Sequence, residues 1–303
     1  LVGSEMCIRD RSTRVSNQIL IIYLFKMQQE RNYSIDLLKT ILAFLIVLHH
    51  SPSPFHDTMQ PITTCAVPTF FMISGFLIFR KEISFKRIMK NAIRIMKIFL
   101  GALLIFYIWF WIRHEELYIP NFKDICLMVF ANNEPLSGHL WYLMAYAYAL
   151  IVIAIFTLKG KMQYLKYIAI IGLVLYFLFD IWHIYCNVPK YLTLVYCFRN
   201  FFFTAIPMMF IGSTVVDRNS IRTKTIAVWL IFFSICAWVE MNSFHVNHIA
   251  DVYFFTIPLS FFLFSLFVNC KIRKPNILTK CGEKYSLYTV SYTHLRAHET
   301  SQD

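Results

Sequence analysis

Residues 34–50 read SIDLLKTILAFLIVLHH, and this apolar stretch gives the first indication of the fold. Eight consecutive apolar residues, 41–48, follow Lys39 and Thr40 and precede two histidines. A helix needs roughly 20 mainly apolar residues to cross a bilayer. The span can extend beyond this run to include Lys39, because the long side chain of Lys39 can reach the membrane surface. We therefore expect a first transmembrane helix near residues 35–50.

The composition of the whole chain also indicates a membrane protein. Of 303 residues, 58% are hydrophobic, 17% are aromatic and only 15% are charged, whereas a soluble domain has about 45–50% apolar and about 25% charged residues. So few charged residues could not cover an apolar core of this size. The composition excludes a soluble globular enzyme, a disordered chain and a nucleic-acid-binding protein, so we expect no nucleic acid among the partners.

Similar apolar runs recur along the chain, and they are continuous rather than alternating. Continuous runs are typical of membrane helices, whereas the strands of a membrane barrel alternate between apolar and polar residues. The sequence therefore predicts an all-α, polytopic membrane helix bundle. We expect eight complete spans, near residues 35–50, 61–79, 98–112, 140–158, 164–182, 198–216, 225–240 and 252–270, and a ninth that begins near Tyr285.

The charges of the loops predict how the bundle sits in the membrane. The formal net charge is +12. Loops on one side carry 18 Lys and Arg residues, while the opposite loops carry three, with Arg199 at an edge. Because cytoplasmic loops carry an excess of Lys and Arg, the N-terminus is predicted to be cytoplasmic. The 18 cations fall in residues 80–97, 159–166, 218–224 and 271–284.

Both ends of the chain differ from the sequence between them. Residues 1–12 and 290–303 are polar and aperiodic, and they resemble translated sequencing-adaptor DNA. The apolar run at residues 19–25 is too short to span a bilayer and lacks the cleavage site of a signal peptide. We expect residues 1–26 to be a non-native leader, residues 27–289 to be the membrane domain, truncated in its last helix, and residues 290–303 to be a non-native tail.

Lys39 and His50 are the first candidates for a functional site, because ionisable residues within membrane spans are costly. His50 lies eleven positions after Lys39, which corresponds to about 16 Å along a helix. A histidine at that depth, or toward the outer mouth of the span, can act as a general base near neutral pH. The alternative is that His49 and His50 only mark the outer end of the helix.

A basic helical face is the second candidate. Lys90, Arg94 and Lys97 recur at spacings of four and three residues, which places them on one face of a helix that enters the third span. Such a face suits a phosphate-rich ligand. The alternative is that these cations only orient the chain and contact anionic lipids.

Two further segments each allow a functional and a structural interpretation. Ser74 and Gly75 lie inside the second span, where small residues most often serve close helix packing. His139, Trp141 and Tyr142 begin the fourth span and could bind a sugar, although Trp and Tyr at that position are usually interfacial residues. The eight cysteines are scattered without zinc spacing, so we expect no metal site.

Together these segments resemble the membrane acyltransferase-3 family over about residues 31–288. Asp36, Lys39, a ten-residue gap and His50 match the family's first-helix pattern, and the match selects His50 over His49. Lys39 stands where the family more often has Arg, and the family's two arginines three residues apart correspond best to Arg94 and Lys97. The other matching segments are VPTFFMISGF at 67–76, HLWYL at 139–143, IPMMFIG at 206–212 and CGEKYSLY at 281–288.

The resemblance implies a bundle of about ten helices that transfers an acyl group, most often acetyl, from cytoplasmic acyl-CoA to a carbohydrate hydroxyl in the bacterial cell envelope. It implies that His50 is the catalytic base and that Asp36 and Lys39 orient the site. Acyl-CoA would be a co-substrate rather than a permanently bound cofactor. By the same mapping, Arg94, Lys97 and Lys90 bind the CoA phosphates, and His139, Trp141, Tyr142 and Ser74 line the acceptor side.

A transporter is the main alternative. A polytopic bundle that exports small anions or glycan precursors could use Lys39 and His50 as coupling or substrate-binding residues. The Asp36–Lys39–His50 pattern combined with a basic face favours the acyltransferase, because transport requires neither. The oligomeric state is not predicted by any feature of the sequence.

Overall fold

The computed structural model describes residues 32–50, 56–132, 136, 140–185, 199–215, 222–243, 254–270, 272 and 274–284. This part of the chain is 84% helical and contains no strand. Its α-helices are α1 (Tyr33–His50), α2 (His56–Thr63), α3 (Ala66–Phe79), α4 (Phe85–His114), α5 (Phe122–Ala131), α6 (Trp141–Leu158), α7 (Leu165–Tyr185), α8 (Ile206–Thr214), α9 (Thr223–Ser243), α10 (Thr256–Asn269) and α11 (Ile277–Lys284). A 3-10 turn, Met162–Tyr164, precedes α7, and a π-helical turn, Phe201–Ala205, leads into α8.

The apolar helices confirm the predicted membrane bundle. Five are long and apolar enough to cross a membrane, and three shorter apolar helices accompany them in the described part of the chain. Each of the eight predicted spans falls on one of these segments. They are Tyr33–His50, Thr58–Phe79, Phe85–His114, Trp141–Leu158 and Thr223–Asn242, with the shorter Met162–Leu178, Phe201–Thr214 and Thr256–Asn269.

The structure differs from the predicted spans at three places. The second span is two helices, because Pro68 has no N–H with which to continue α2 into α3 and is tolerated only in the first turn of α3. The helix of the third span begins at Phe85, earlier than the predicted start near residue 98, and this confirms that the basic segment is helical. Two further helices, α5 and α11, were not predicted. The expected ninth span near Tyr285 and both terminal segments lie outside the described residues.

Helix α3 lies at the centre of the bundle. Within an 18-residue window of the segment Thr58–Phe79, 72% of the residues are buried, against 17% in a window of Thr223–Asn242. Phe71 and Met72 of α3 are fully buried. The outer helices α4 and α9 expose many large apolar side chains, which suits contact with lipid.

Two glycines bring the backbones of α3 and α8 into direct contact. A Cβ added at Gly75 would clash with the backbone of Met209, and one added at Gly212 would clash with the backbone of Met72. Small residues of this kind allow membrane helices to pack closely. The packing interpretation of Gly75 is therefore confirmed.

The start of α1 lies beside the end of α10. The Asn32 side-chain amide donates to the carbonyl oxygen of Val268 at 3.3 Å, and the backbone N–H of Ile272 donates to Ser34 Oγ at 2.9 Å. The Ser34 hydroxyl in turn donates to the carbonyl oxygen of Cys270. We call this side of the bundle the Asp36 end, and the side where α1 finishes the His50 end.

Candidate functional site

Helix α1 carries the ionisable residues of the candidate site at its two ends. Lys39 Nζ lies 3.1 Å from Asp36 Oδ1, and these side chains are 21% and 7% exposed. At about 100° per residue, the eleven steps from Lys39 to His50 complete roughly three turns and leave an offset of only about 20°. The ion pair and His50 therefore share one face of α1, at opposite ends of an apolar stretch.

Helix α11 packs against the Asp36 end of α1. Gly282 approaches so closely that a Cβ there would clash with the backbone of Asp36. The Thr40 hydroxyl lies 2.6 Å from the carbonyl oxygen of Leu278, so it ties the same two helices together. Gly282 belongs to the 281–288 segment that the sequence singled out, but its contact with Asp36 could not be predicted from spacing.

Helix α2 packs against the other end of α1. His49 Nδ1 lies 3.0 Å from Thr63 Oγ1, and the Thr63 hydroxyl lies 3.1 Å from the carbonyl oxygen of Gln60. The rings of His49 and His50 meet edge to face with their centroids 4.8 Å apart. His50 is half-buried and is the last residue of α1, so both histidines belong to one local structure.

The residues predicted for the acceptor side fall into different environments. Phe71 packs against Trp141, Tyr142 and Tyr146 with centroid distances of 6.4, 4.8 and 6.3 Å. Tyr142 is only 3% exposed, whereas Trp141 is half-buried. The Ser74 hydroxyl donates to the carbonyl oxygen of Phe70 at 2.9 Å. His139 lies outside the described residues.

The predicted basic face is continuous and exposed. Lys90, Arg94 and Lys97 are all exposed on α4, while Ile88 and Ile95 are buried on its opposite side. Within the described residues, no hydrogen bond or ion pair joins the three cations to α1. The structure thus brings Asp36 and Lys39 together but leaves the basic face outside the bundle.

Sequence reasoning missed two charged residues that fix the ends of helices. The Glu240 carboxylate of α9 accepts the backbone N–H groups of Phe254 and Phe255 at 2.8 and 3.0 Å, just before α10 begins. The Arg87 guanidinium donates to the carbonyl oxygen of Ile78 at 2.9 Å, near the end of α3. Glu240 could have been found as a lone carboxylate in an apolar span, whereas nothing distinguished Arg87 from its basic neighbours.

A multi-helix membrane bundle with an ion pair and a histidine on one face of its first helix fits the class of membrane-bound acyltransferases. The model of the acyltransferase-3 family, described as an acyltransferase domain, matches residues 32–289. The chain belongs to this family, and it is an acyltransferase. Comparisons with curated proteins and with solved structures gave no significant match.

Proposed function

We propose that the protein transfers an acyl group, most simply acetyl, from cytoplasmic acyl-CoA to a hydroxyl of a carbohydrate or cell-envelope glycan across the membrane. The observation that carries the proposal is the arrangement of α1, which bears the Asp36–Lys39 ion pair near one end and His50 at the other, on one face. The acyl-bearing arm of acyl-CoA, held inside the bundle along that face, could reach from the Asp36 end toward His50.

His50 would act as the general base. It removes the proton of the acceptor hydroxyl while the hydroxyl oxygen attacks the thioester carbonyl carbon. The new carbon–oxygen bond gives the ester, the carbon–sulfur bond breaks, and the CoA sulfur leaves with the electron pair. The proton then passes from His50 to the CoA thiolate or to water, which restores the base. Lys39, held by Asp36, orients the donor arm.

Acyl-CoA would be a diffusible co-substrate, with no cofactor bound permanently. Lys90, Arg94 and Lys97 would bind its phosphates, and their exposure supports a role in capturing a large polar ligand. Because they face away from the buried side of α4, the nucleotide would stay outside the bundle and only the thin acyl-bearing arm would enter it.

The acceptor would enter from the His50 end, where buried polar groups support the proposal. Gln60 is 5% exposed and Thr256 is not exposed at all, and neither Gln60 Oε1 nor Thr256 Oγ1 has a hydrogen-bond partner in the described part of the chain. Burying an unpaired polar atom costs about 1–3 kcal/mol, so hydroxyl groups of a sugar would be favourable partners there. Trp141, Tyr142, His139 and Ser74 would complete the acceptor side.

The protein would be a multi-pass protein of the bacterial cytoplasmic membrane with a cytoplasmic N-terminus. The excess of Lys and Arg in alternate loops supports this orientation. It would place the basic face in the cytoplasm, where acyl-CoA is available, and His50 toward the outer surface, where glycans are modified.

The experiment uses the purified full-length protein in nanodiscs with radiolabelled acetyl-CoA and a panel of soluble oligosaccharides. His50→Ala should lower acetyl transfer by at least about 100-fold, because general base catalysis contributes about 10²–10⁴-fold. The matched control is His114→Ala, since His114 is an exposed histidine at the end of α4. Unchanged transfer in His50→Ala, or transport of unmodified glycan without CoA release, would overturn the proposal.

A further inference from the structure

Thr63 anchors the ring of His49 from outside α1. Thr63 Oγ1 lies 3.0 Å from His49 Nδ1 and 3.1 Å from the carbonyl oxygen of Gln60. The hydroxyl can accept from a protonated Nδ1 while it donates to Gln60, or donate to an unprotonated Nδ1. In either tautomer the contact fixes the orientation of the His49 ring.

The ring of His49 packs directly against the ring of His50. The two rings meet edge to face, with an interplanar angle of 86° and centroids 4.8 Å apart. Edge-to-face is a preferred arrangement of such ring pairs, so the orientation of one ring favours one orientation of the other. Because Thr63 fixes the first ring, the orientation of the second depends on Thr63 as well.

We propose that His49 is a positioning residue for His50, and that Thr63 of α2 holds it in place. This inference rests on the proposed role of His50 as the base. A base must point a ring nitrogen at the acceptor hydroxyl, and small errors in such alignment can cost up to about 100-fold in rate. His49 would keep His50 aligned at the end of α1.

Thr64 provides a matched control for Thr63. Both threonines are buried, and each hydroxyl donates to a backbone carbonyl oxygen three residues earlier in the chain. Thr64 bonds to the carbonyl oxygen of Pro61 and makes no hydrogen bond to either histidine. Replacement of Thr by Val removes the hydroxyl and keeps the shape in both cases, and only Thr63→Val also removes a contact with His49.

The experiment measures kcat and the KM for acetyl-CoA with the best oligosaccharide of the panel. We expect Thr63→Val to lower kcat by about tenfold through misalignment of the base, with an unchanged KM for acetyl-CoA. Thr63→Ser should restore kcat to within about twofold because it keeps the hydroxyl. Thr64→Val should behave as the unmodified protein does. His49→Asn, which keeps an N–H donor but loses the ring, should resemble Thr63→Val.

Three results would overturn the inference. They are an unchanged kcat in Thr63→Val, an equal loss in Thr63→Val and Thr64→Val, and an unchanged kcat in His49→Asn. Size-exclusion profiles of all variants separate misalignment from misfolding. If His50→Ala retains activity, the proposed function itself fails. If His50→Ala is inactive and Thr63→Val is fully active, only the positioning role fails.

Discussion

Gly75 and Gly212 offer a sharp test of the packing at the centre of the bundle. A Cβ at Gly75 would lie 2.7 Å from Met209 Cα, and one at Gly212 would lie 2.5 Å from Met72 Cα. Carbon atoms prefer separations of about 3.5–4.0 Å, so either substitution by alanine must part α3 and α8 by about 1 Å. Because the obstacle is backbone, no rotamer change can relieve the clash.

We expect Gly75→Ala and Gly212→Ala each to lower the free energy of unfolding by about 3 kcal/mol, at the upper end of typical overpacking costs. The two substitutions should not be additive. Once the first alanine has parted the helices, the second finds more room, so the double variant should lose about 1–2 kcal/mol less than the sum, a coupling in the usual range for contacting residues.

Gly101→Ala is the control for this pair. Gly101 lies inside α4 with no atom within 4 Å of an added Cβ, so alanine should be neutral or stabilise the helix by up to about 1 kcal/mol. Unfolding by sodium dodecyl sulfate in mixed micelles, followed by tryptophan fluorescence, measures the free energy of unfolding of the four variants and of the unmodified protein. The close crossing of α3 and α8 would be refuted if Gly75→Ala were as stable as Gly101→Ala. It would also be refuted if the losses of the two single variants added strictly in the double variant.

Three further predictions concern the ends of the helices and the donor site. Gly282→Ala should push α11 away from Asp36 and lower the kcat for acetyl transfer by about tenfold, through a shift of order 1 Å at the site. An unchanged kcat would show that the position of α11 does not affect catalysis. Reversal of Arg94 and Lys97 to Glu should raise the KM for acetyl-CoA by about tenfold or more, since charge-assisted bonds to phosphate contribute about 1.5–3 kcal/mol. Replacement of the exposed Lys161 by Glu serves as the control. If this variant and the Arg94 and Lys97 variant have the same KM for acetyl-CoA, phosphate binding by the α4 face is excluded. Glu240→Gln should lower the free energy of unfolding by about 1–2 kcal/mol, because one of the two backbone N–H groups that precede α10 loses its acceptor; thermal melting in detergent measures this loss.

The membrane bundle could be predicted from the sequence because the apolar runs are long and uninterrupted. Residues 41–48 and their counterparts in the other spans need no tertiary information, since a bilayer accepts only helices or closed barrels. The break between α2 and α3 was harder to foresee. Pro68 lies in an apolar stretch that reads as one span, and membrane helices often tolerate proline.

The Asp36–Lys39 pair could be predicted as a neighbouring pair because residues three apart share a helix face. Its setting could not be predicted. Gly282 lies 246 positions later in the chain than Asp36, and a contact over that distance follows from the packing of the whole bundle rather than from any local pattern. The same holds for the contact of Thr63 with His49, which depends on how α2 packs against α1.

Two short helices explain how α1 can present ionisable groups inside a membrane bundle. Within the described residues, α2 and α11 have eight residues each, and isolated helices of that length are unstable in water. Each is therefore stabilised by packing, and α1 is a principal partner of both.

Helix α11 meets α1 at Asp36 and Thr40, while α2 meets it at His49. The middle of α1 is held by apolar contacts, as Leu38 and Leu42 show by their complete burial. Apolar packing alone leaves a helix free to rotate slightly, whereas directional contacts at both ends fix its rotation. Displacing either short helix should therefore lower the kcat for acyl transfer while the bundle as a whole stays folded.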